Sequence, residues 1–162
     1  MPVVEPDILN AGKHDIGMSQ RTTEKVFSAF YKAMSDQHVC LEGSLLKPAF
    51  CTPGQNGGPE VTAEQVADVT LKALRRSVPA AVSGICFLSG GLGDTKATTY
   101  LAALNARKGD QAPWPLTFSY GRALTGTAWN AWGKECNTKA AQAEFIKRCE
   151  ANSKASKGLS PN

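Results

Sequence analysis

The chain has 162 residues, of which 42% are hydrophobic, and its 18 basic and 14 acidic residues give a formal charge of +4. This length and composition predict one domain with its own core and exclude disorder for most of the chain. The charges are scattered rather than clustered among aromatic residues, and the longest uncharged stretch is too short to span a bilayer, so we expect neither nucleic-acid nor membrane binding.

Short apolar segments alternate with longer amphipathic ones along the chain. In chain order the predicted elements are strand 2–5, helix 18–37, strand 39–47, helix 62–78, strand 83–91, helix 94–104, strand 115–121, and helices 123–132 and 140–152. Two helix starts carry capping signals: Thr62 and Gln65 stand in capping-box register, and Asp94 is predicted to cap the helix that follows it. The order of elements is therefore β-α-β-α-β-α-β-α.

Strands separated by helices of ten or more residues predict parallel pairing, because a parallel neighbour is reached only by a crossover. An α/β fold of this kind is either an open doubly wound sheet or part of a (β/α)₈ TIM barrel. The glycine-rich turns follow the third and fourth strands, which suits the second half of a barrel. A whole barrel needs roughly 250 residues, so four βα units predict a partial one over 1–152, followed by a polar, disordered tail at 153–162.

The most informative single residue is Lys47, at the carboxyl end of the apolar strand 39–47. An amine attacks a carbonyl only when it is unprotonated, and apolar surroundings favour that state. The alternative interpretation is a lysine that extends past the strand end into water or pairs with Glu42. From the local pattern alone, this second interpretation is the more common one.

The first strand ends in two carboxylates, Glu5 and Asp7, on either side of Pro6. Residues two apart along a strand point in similar directions, which favours a shared site suited to acid and base chemistry. An ordinary polar strand exit explains the same spacing.

Two glycine turns predict phosphate binding. Ser89, Gly90 and Gly91 stand at the end of the third predicted strand, and Gly121 and Arg122 stand at the end of the fourth. Backbone amides exposed by glycine, next to a helix start or an arginine, form anion sites. A tight βα turn is the alternative for either loop.

Five cysteines occur in the chain, without any CxxC pair. Because their number is odd and some of them lie in apolar runs, we expect free cysteines in a reducing compartment. Their spacing does not match a zinc-binding motif.

Taken together, the motifs resemble the carboxyl-terminal half of class I fructose-1,6-bisphosphate aldolase. The segments that carry the resemblance, in this order, are "VEPDIL", "HDI", "LEGSLLKP", "LSGGLGD", "LTFSYGRAL" and "NAWGKECN". The resemblance implies a TIM barrel of which this chain supplies the fifth to eighth strands. It also implies a lyase of glycolysis and gluconeogenesis that uses a Schiff base instead of a metal or another cofactor.

The resemblance further implies roles for individual residues. Lys47 corresponds to the lysine that forms the Schiff base, and Glu5 to the glutamate that transfers protons during imine formation. Asp7 stands where members of the family often have glutamate, so its contribution is open. The five residues of the two glycine turns correspond to those that hold a substrate phosphate.

The resemblance implies partners as well: fructose 1,6-bisphosphate, triose phosphates, and other copies in a homo-oligomer. The aspartate that acts on the C4 hydroxyl and the tyrosine-ending tail of the family have no counterpart here. We therefore expect a fragment that is weakly active or inactive alone and self-associates through open sheet edges. A cytoplasmic location is implied, with a plastid form left open. The alternative function is a non-catalytic half-barrel that binds sugar phosphates.

Overall fold

Four parallel strands form one sheet in the computed structural model, which describes residues 1–133 and 136–161, and they lie across the sheet in chain order. The strands are β1 (Val3–Val4), β2 (Leu45–Leu46), β3 (Gly84–Phe87) and β4 (Leu116–Phe118). Each strand pairs with the next one along the chain. A doubly wound sheet reverses its strand order at a switch point, whereas this order does not reverse. The sheet is therefore that of a partial barrel.

The two faces of the sheet differ in exposure, because successive side chains along a strand point to opposite sides. Leu46, Ile85 and Phe87 point to the helices and are at most 1% exposed. On the other face Val3 is 49% exposed, and Thr117 is also exposed. Helices thus cover only one face, and the opposite face is the inner wall of a barrel.

Residues 1–133 and 136–161 contain five α-helices. They are α1 (Ile16–Asp36), α2 (Ala63–Ser77), α3 (Asp94–Arg107), α4 (Arg122–Gly133) and α5 (Thr138–Ala155). The predicted capping box of α2 is confirmed: the Thr62 hydroxyl accepts from Gln65 N, and the Gln65 side chain accepts from Thr62 N. Such reciprocal bonds satisfy two amides that the first helical turn leaves without partners.

The core lies between the sheet and these helices. Phe87 of β3 stacks on Phe50, with ring centroids 4.4 Å apart, and Tyr100 of α3 meets Phe50 edge-on. Phe27 of α1 and Leu74 of α2 are each 1% exposed. The apolar sides of α1 and α2 therefore face the core, as the amphipathic pattern of the sequence predicts.

Several predicted details differ from the structure. The predicted strands 83–91 and 115–121 end earlier, at Phe87 and Phe118. Strand 39–47 is shortened to β2, because residues Leu41–Gly43 form a turn of 3₁₀ helix instead. Asp94 does not cap α3 but is its first residue, and Gly93 with a φ of +79° occupies the cap position. The predicted boundary at residue 152 falls inside α5, whose last residue, Ala155, is fully buried.

Two residues of the predicted "NAWGKECN" segment, Lys134 and Glu135, lie outside the described residues, as does Asn162 of the predicted tail. No helix in the described part of the chain is long and apolar enough to cross a membrane.

Candidate active site

Lys47 directly follows β2, and its amide continues the ladder by donating to the Val4 carbonyl at 2.8 Å. Because Leu46 faces the helices, alternation turns the Lys47 side chain to the uncovered inner face. That side chain is 23% exposed, so it is partly buried but still accessible to water.

Glu5 is the partner of Lys47. Its carboxylate oxygen Oε2 lies 3.1 Å from Lys47 Nζ. The alternative pair with Glu42 does not form, since the Glu42 carboxylate instead lies 3.6 Å from the Cys40 thiol. A carboxylate this close to the amine can accept its proton and later return it, which is the geometry that general acid and base chemistry needs.

The strand register places Glu5 and Lys47 in one row across the sheet. Val4 pairs with Leu46 and Leu46 with Ile85, so the next residues along, Glu5, Lys47 and Cys86, stand side by side. Cys86 in turn pairs with Thr117. Burial raises the pKa of the Cys86 thiol, while nearby Lys47 lowers it and Glu5 raises it. Cys86 is thus a neighbour of Lys47, although the apolar residues around Cys86 in the sequence do not indicate this.

Asp7 lies in the same open hollow as Glu5 and Lys47. Its side chain is exposed, and it makes no hydrogen bond to another residue in the described ranges. The predicted neighbourhood of the two carboxylates therefore exists, whereas sharing of a proton between them stays a prediction.

The hollow has a volume of about 460 Å³ and opens at the carboxyl ends of all four strands. Its lining consists of Glu5, Asp7, Lys47, Leu88, Ser89, Gly90, Ser119, Gly121 and Arg122. Seven of the eight residues predicted for the site belong to this list. The eighth, Gly91, lies beside it: a Cβ built on Gly91 would be 3.6 Å from Arg122 Nη2.

The loop after β3 takes a conformation that glycine makes possible. Gly90 and Gly91 have φ angles of +50° and +76°. The Leu92 amide donates to the Ser89 carbonyl at 2.9 Å, which closes the turn. Residues with a Cβ rarely adopt such angles, so the two glycines allow backbone amides to face outward.

The start of α4 supplies the second half of the predicted phosphate site. The Gly121 carbonyl accepts from the amides of Leu124 and Thr125 at 3.0 and 3.1 Å. The amides of Arg122 and Ala123 therefore have no acceptor within the helix, and the helix dipole places positive potential at this end. The exposed guanidinium of Arg122 adds a full charge.

Five residues at or near the site were not predicted: Cys86, Leu88, Ser119, Asn10 and Gln55. Ser119 could have been found by alternation from the inward-facing Thr117. Asn10 and Gln55 lie in loops without periodicity, and both donate to the Gly90 carbonyl at 2.8 Å. Among the described residues, no group of three or more His, Cys, Asp and Glu side chains is arranged to hold a metal ion.

Comparison with known proteins identifies relatives across the whole chain. The family model "Fructose-bisphosphate aldolase class-I" matches residues 1–161. Fructose-bisphosphate aldolase B of Sparus aurata is 52% identical over 159 residues, which cover 98% of this chain and 43% of that protein. The cytosolic fructose-bisphosphate aldolase 4 of Arabidopsis thaliana is also 52% identical over 98% of this chain, and 40% of that protein is covered.

A solved structure agrees with these matches. Fructose-bisphosphate aldolase of Plasmodium falciparum, determined as a ternary complex, superposes with a TM-score of 0.93 at 42% identity. The match covers 99% of this chain and 46% of the other. This chain thus spans less than half the length of the relatives it matches.

Proposed function

The chain belongs to the class I fructose-bisphosphate aldolase family, and we propose that it carries the imine-forming part of that activity. The observation on which this rests is the 3.1 Å contact between Lys47 Nζ and Glu5 Oε2 inside a hollow that also contains Ser89 and Arg122. One hollow thus offers a nucleophile, a proton acceptor and an anion site.

In the proposed reaction, Lys47 Nζ attacks the C2 carbonyl of fructose 1,6-bisphosphate, and Glu5 accepts the proton that the amine loses. Glu5 then returns a proton to the C2 oxygen, which leaves as water and yields the protonated imine. The imine withdraws the electron pair of the C3–C4 bond, so that glyceraldehyde 3-phosphate departs and an enamine remains. Protonation at C3 and hydrolysis release dihydroxyacetone phosphate and free Lys47.

The other predicted residues would act on the substrate's charges. Arg122 and the amides around Ser89, Gly90, Gly91 and Gly121 would hold a phosphate through charge-assisted and backbone hydrogen bonds. Asp7, on the same wall as Glu5, would act as a supporting carboxylate.

Cleavage also needs a base for the C4 hydroxyl, and the family resemblance assigns that role to its first four strands. We therefore expect the isolated chain to form the imine and to cleave weakly or not at all. We also propose the partners and location that the family implies: sugar phosphates and other copies of the chain, in the cytoplasm.

The test is borohydride trapping with dihydroxyacetone phosphate, followed by peptide mapping. We expect an adduct at Lys47 that Lys47→Met abolishes, while Lys72→Met, on the distant helix α2, retains it. A folded chain with no adduct at Lys47 would refute imine formation.

A non-catalytic phosphate-binding module is the second candidate, and the open side of the hollow favours it, because water reaches Lys47. Binding of dihydroxyacetone phosphate that Lys47→Met leaves unchanged, without any trapped adduct, would select this function.

A further inference from the structure

The carbonyl oxygen of Gly90 joins three loops at the carboxyl ends of the strands. It accepts from Asn10 Nδ2, in the loop after β1, and from Gln55 Nε2, in the loop after β2, each at 2.8 Å. The Gln55 amide also donates to the Asn10 carbonyl at 2.9 Å. This last bond joins the backbones of the two residues, so the loops that carry the two side-chain donors are held to each other as well as to Gly90.

These two loops form a firm support because their backbones are joined directly. Gly54 N donates to the His14 carbonyl at 2.9 Å, and Asn56 N donates to the Gly12 carbonyl at 2.8 Å. The approach is close enough that a Cβ on Gly54 would lie 2.3 Å from the Gly12 oxygen. The loops that carry Asn10 and Gln55 consequently hold each other in place through their own backbones.

Holding the Gly90 oxygen sets the direction of the Gly91 amide. In a trans peptide the carbonyl and the N–H point in opposite directions, and none of the described residues follows a cis bond. With its oxygen turned toward Asn10 and Gln55, the Gly90–Gly91 peptide directs the Gly91 N–H away from them. Within residues 1–133 and 136–161, this N–H has no acceptor.

The open amide lies next to a cation. A Cβ built on Gly91 would be 3.6 Å from Arg122 Nη2, and Arg122 has no ion-pair partner among the described residues. An outward-facing amide beside a guanidinium is a combination that binds a phosphate oxygen.

We propose that Asn10 and Gln55 are positioning residues that hold the Gly90–Gly91 peptide in its phosphate-binding orientation before the ligand arrives. This inference rests on the proposed function, since it takes the Gly91 amide and Arg122 as the phosphate site. Neither residue needs to touch the substrate. Their effect is confined to ligands that carry a phosphate, because a ligand without one does not use the Gly91 amide.

The first experiment measures binding of inorganic phosphate to the ¹⁵N-labelled chain from the chemical shift of the Gly91 amide. The variant Asn10→Leu/Gln55→Met keeps the side-chain sizes similar and removes both donors. We expect its dissociation constant for phosphate to be about tenfold higher, since each lost hydrogen bond weakens binding by a few-fold. Asn56→Leu is the control, because Asn56 is an exposed neighbour whose side chain makes no hydrogen bond to any described residue.

A second measurement distinguishes positioning from a general structural role. Borohydride trapping at Lys47 is compared for dihydroxyacetone phosphate and for dihydroxyacetone, which lacks the phosphate. The double variant should lose adduct yield with the first and retain it with the second. The single variant Gln55→Met, at an exposed position, should show the same selective loss to a smaller extent if the double variant folds poorly.

The outcomes separate this inference from the proposed function. If the wild-type chain forms no adduct but its phosphate affinity still depends on Asn10 and Gln55, imine formation fails and the positioning role stands. Phosphate affinity unchanged in a folded double variant would overturn the positioning role. An equal loss of trapping with both carbonyl ligands, or no phosphate binding by the wild type, would overturn it too.

Discussion

Lys47 Nζ and Glu5 Oε2 lie 3.1 Å apart although 42 residues separate the two in the chain. The contact exists because β1 and β2 are neighbours in register, with Val4 beside Leu46. Each residue follows its strand directly, so parallel pairing delivers both side chains to the same edge of the sheet. The fold, rather than local sequence, therefore brings the amine and the carboxylate together.

Glu5→Gln should slow formation of the Lys47 adduct by about 100-fold, because general acid and base catalysis contributes about that much or more. The glutamine is similar in size but cannot accept the proton that the amine loses. The measurement is the initial rate of borohydride-trapped adduct with dihydroxyacetone phosphate.

Asp68→Asn is the matched control for this change. Asp68 is an exposed carboxylate that pairs with Arg107 at 2.7 Å, between α2 and α3. Its loss should leave the trapping rate unchanged. A folded Glu5→Gln variant with the wild-type rate would show that another group moves the proton.

Gly91→Ala and Gly93→Ala should separate loop strain from phosphate binding. Both glycines have positive φ angles, +76° and +79°, and Gly93 has a ψ of 160°, so each alanine should lower the free energy of unfolding by at least about 1 kcal/mol. Only at Gly91 does the new methyl group stand beside Arg122 and Gln55; at Gly93 it meets nothing within 4 Å. We expect weaker phosphate binding for Gly91→Ala alone, measured by titration alongside urea unfolding. Equal phosphate affinity in the two variants would place the phosphate elsewhere.

Alkaline pH should destabilise the chain through Cys51. Burial raises the pKa of this thiol from 9.0 to about 11, with weaker opposing effects from hydrogen bonds to Thr23 and Thr70. Between these two values the unfolded chain releases the proton and the folded chain keeps it. The free energy of unfolding should therefore fall with rising pH, by about 1.4 kcal/mol per pH unit from this group.

The check is urea unfolding at several pH values from 8 to 11. Cys51→Ala should reduce the slope of stability against pH, whereas Cys40→Ala, at an exposed thiol, should leave it as in the wild type. Identical slopes in all three proteins would mean that Cys51 ionises to the same extent in the folded and the unfolded chain over this range.

Local signals explain which parts of the fold could be predicted. The capping box of Thr62 and Gln65 marked the start of α2, since both of its bonds form within four residues. The apolar run before Lys47 predicted a strand end correctly but made the strand too long. In the structure Val39 is 43% exposed, and Leu41 belongs to a turn of 3₁₀ helix. A run of apolar residues therefore does not by itself determine that the backbone is extended.

Contacts between distant loops explain what the sequence could not reveal. The bonds from Asn10 and Gln55 to Gly90 cross 80 and 35 residues of chain. An asparagine and a glutamine in polar loops carry no periodic pattern, and only the parallel order of the strands brings them together. Cys86 is similar: its apolar neighbours indicate a strand, but the register is needed to place it beside Lys47.

The chain should self-associate, because β1 and β4 are the edges of the sheet and each pairs on one side only within the described part of the chain. Open edges and an uncovered face favour pairing with another copy, which a closed barrel avoids. We expect a mass above the 17.2 kDa of one chain in sedimentation equilibrium at micromolar concentration. Val3→Lys places a charge on the β1 edge and should shift the chain toward monomer. Val39→Lys, at a valine of similar exposure outside the sheet, should not. A compact wild-type monomer, or equal effects of both lysines, would exclude association through this edge.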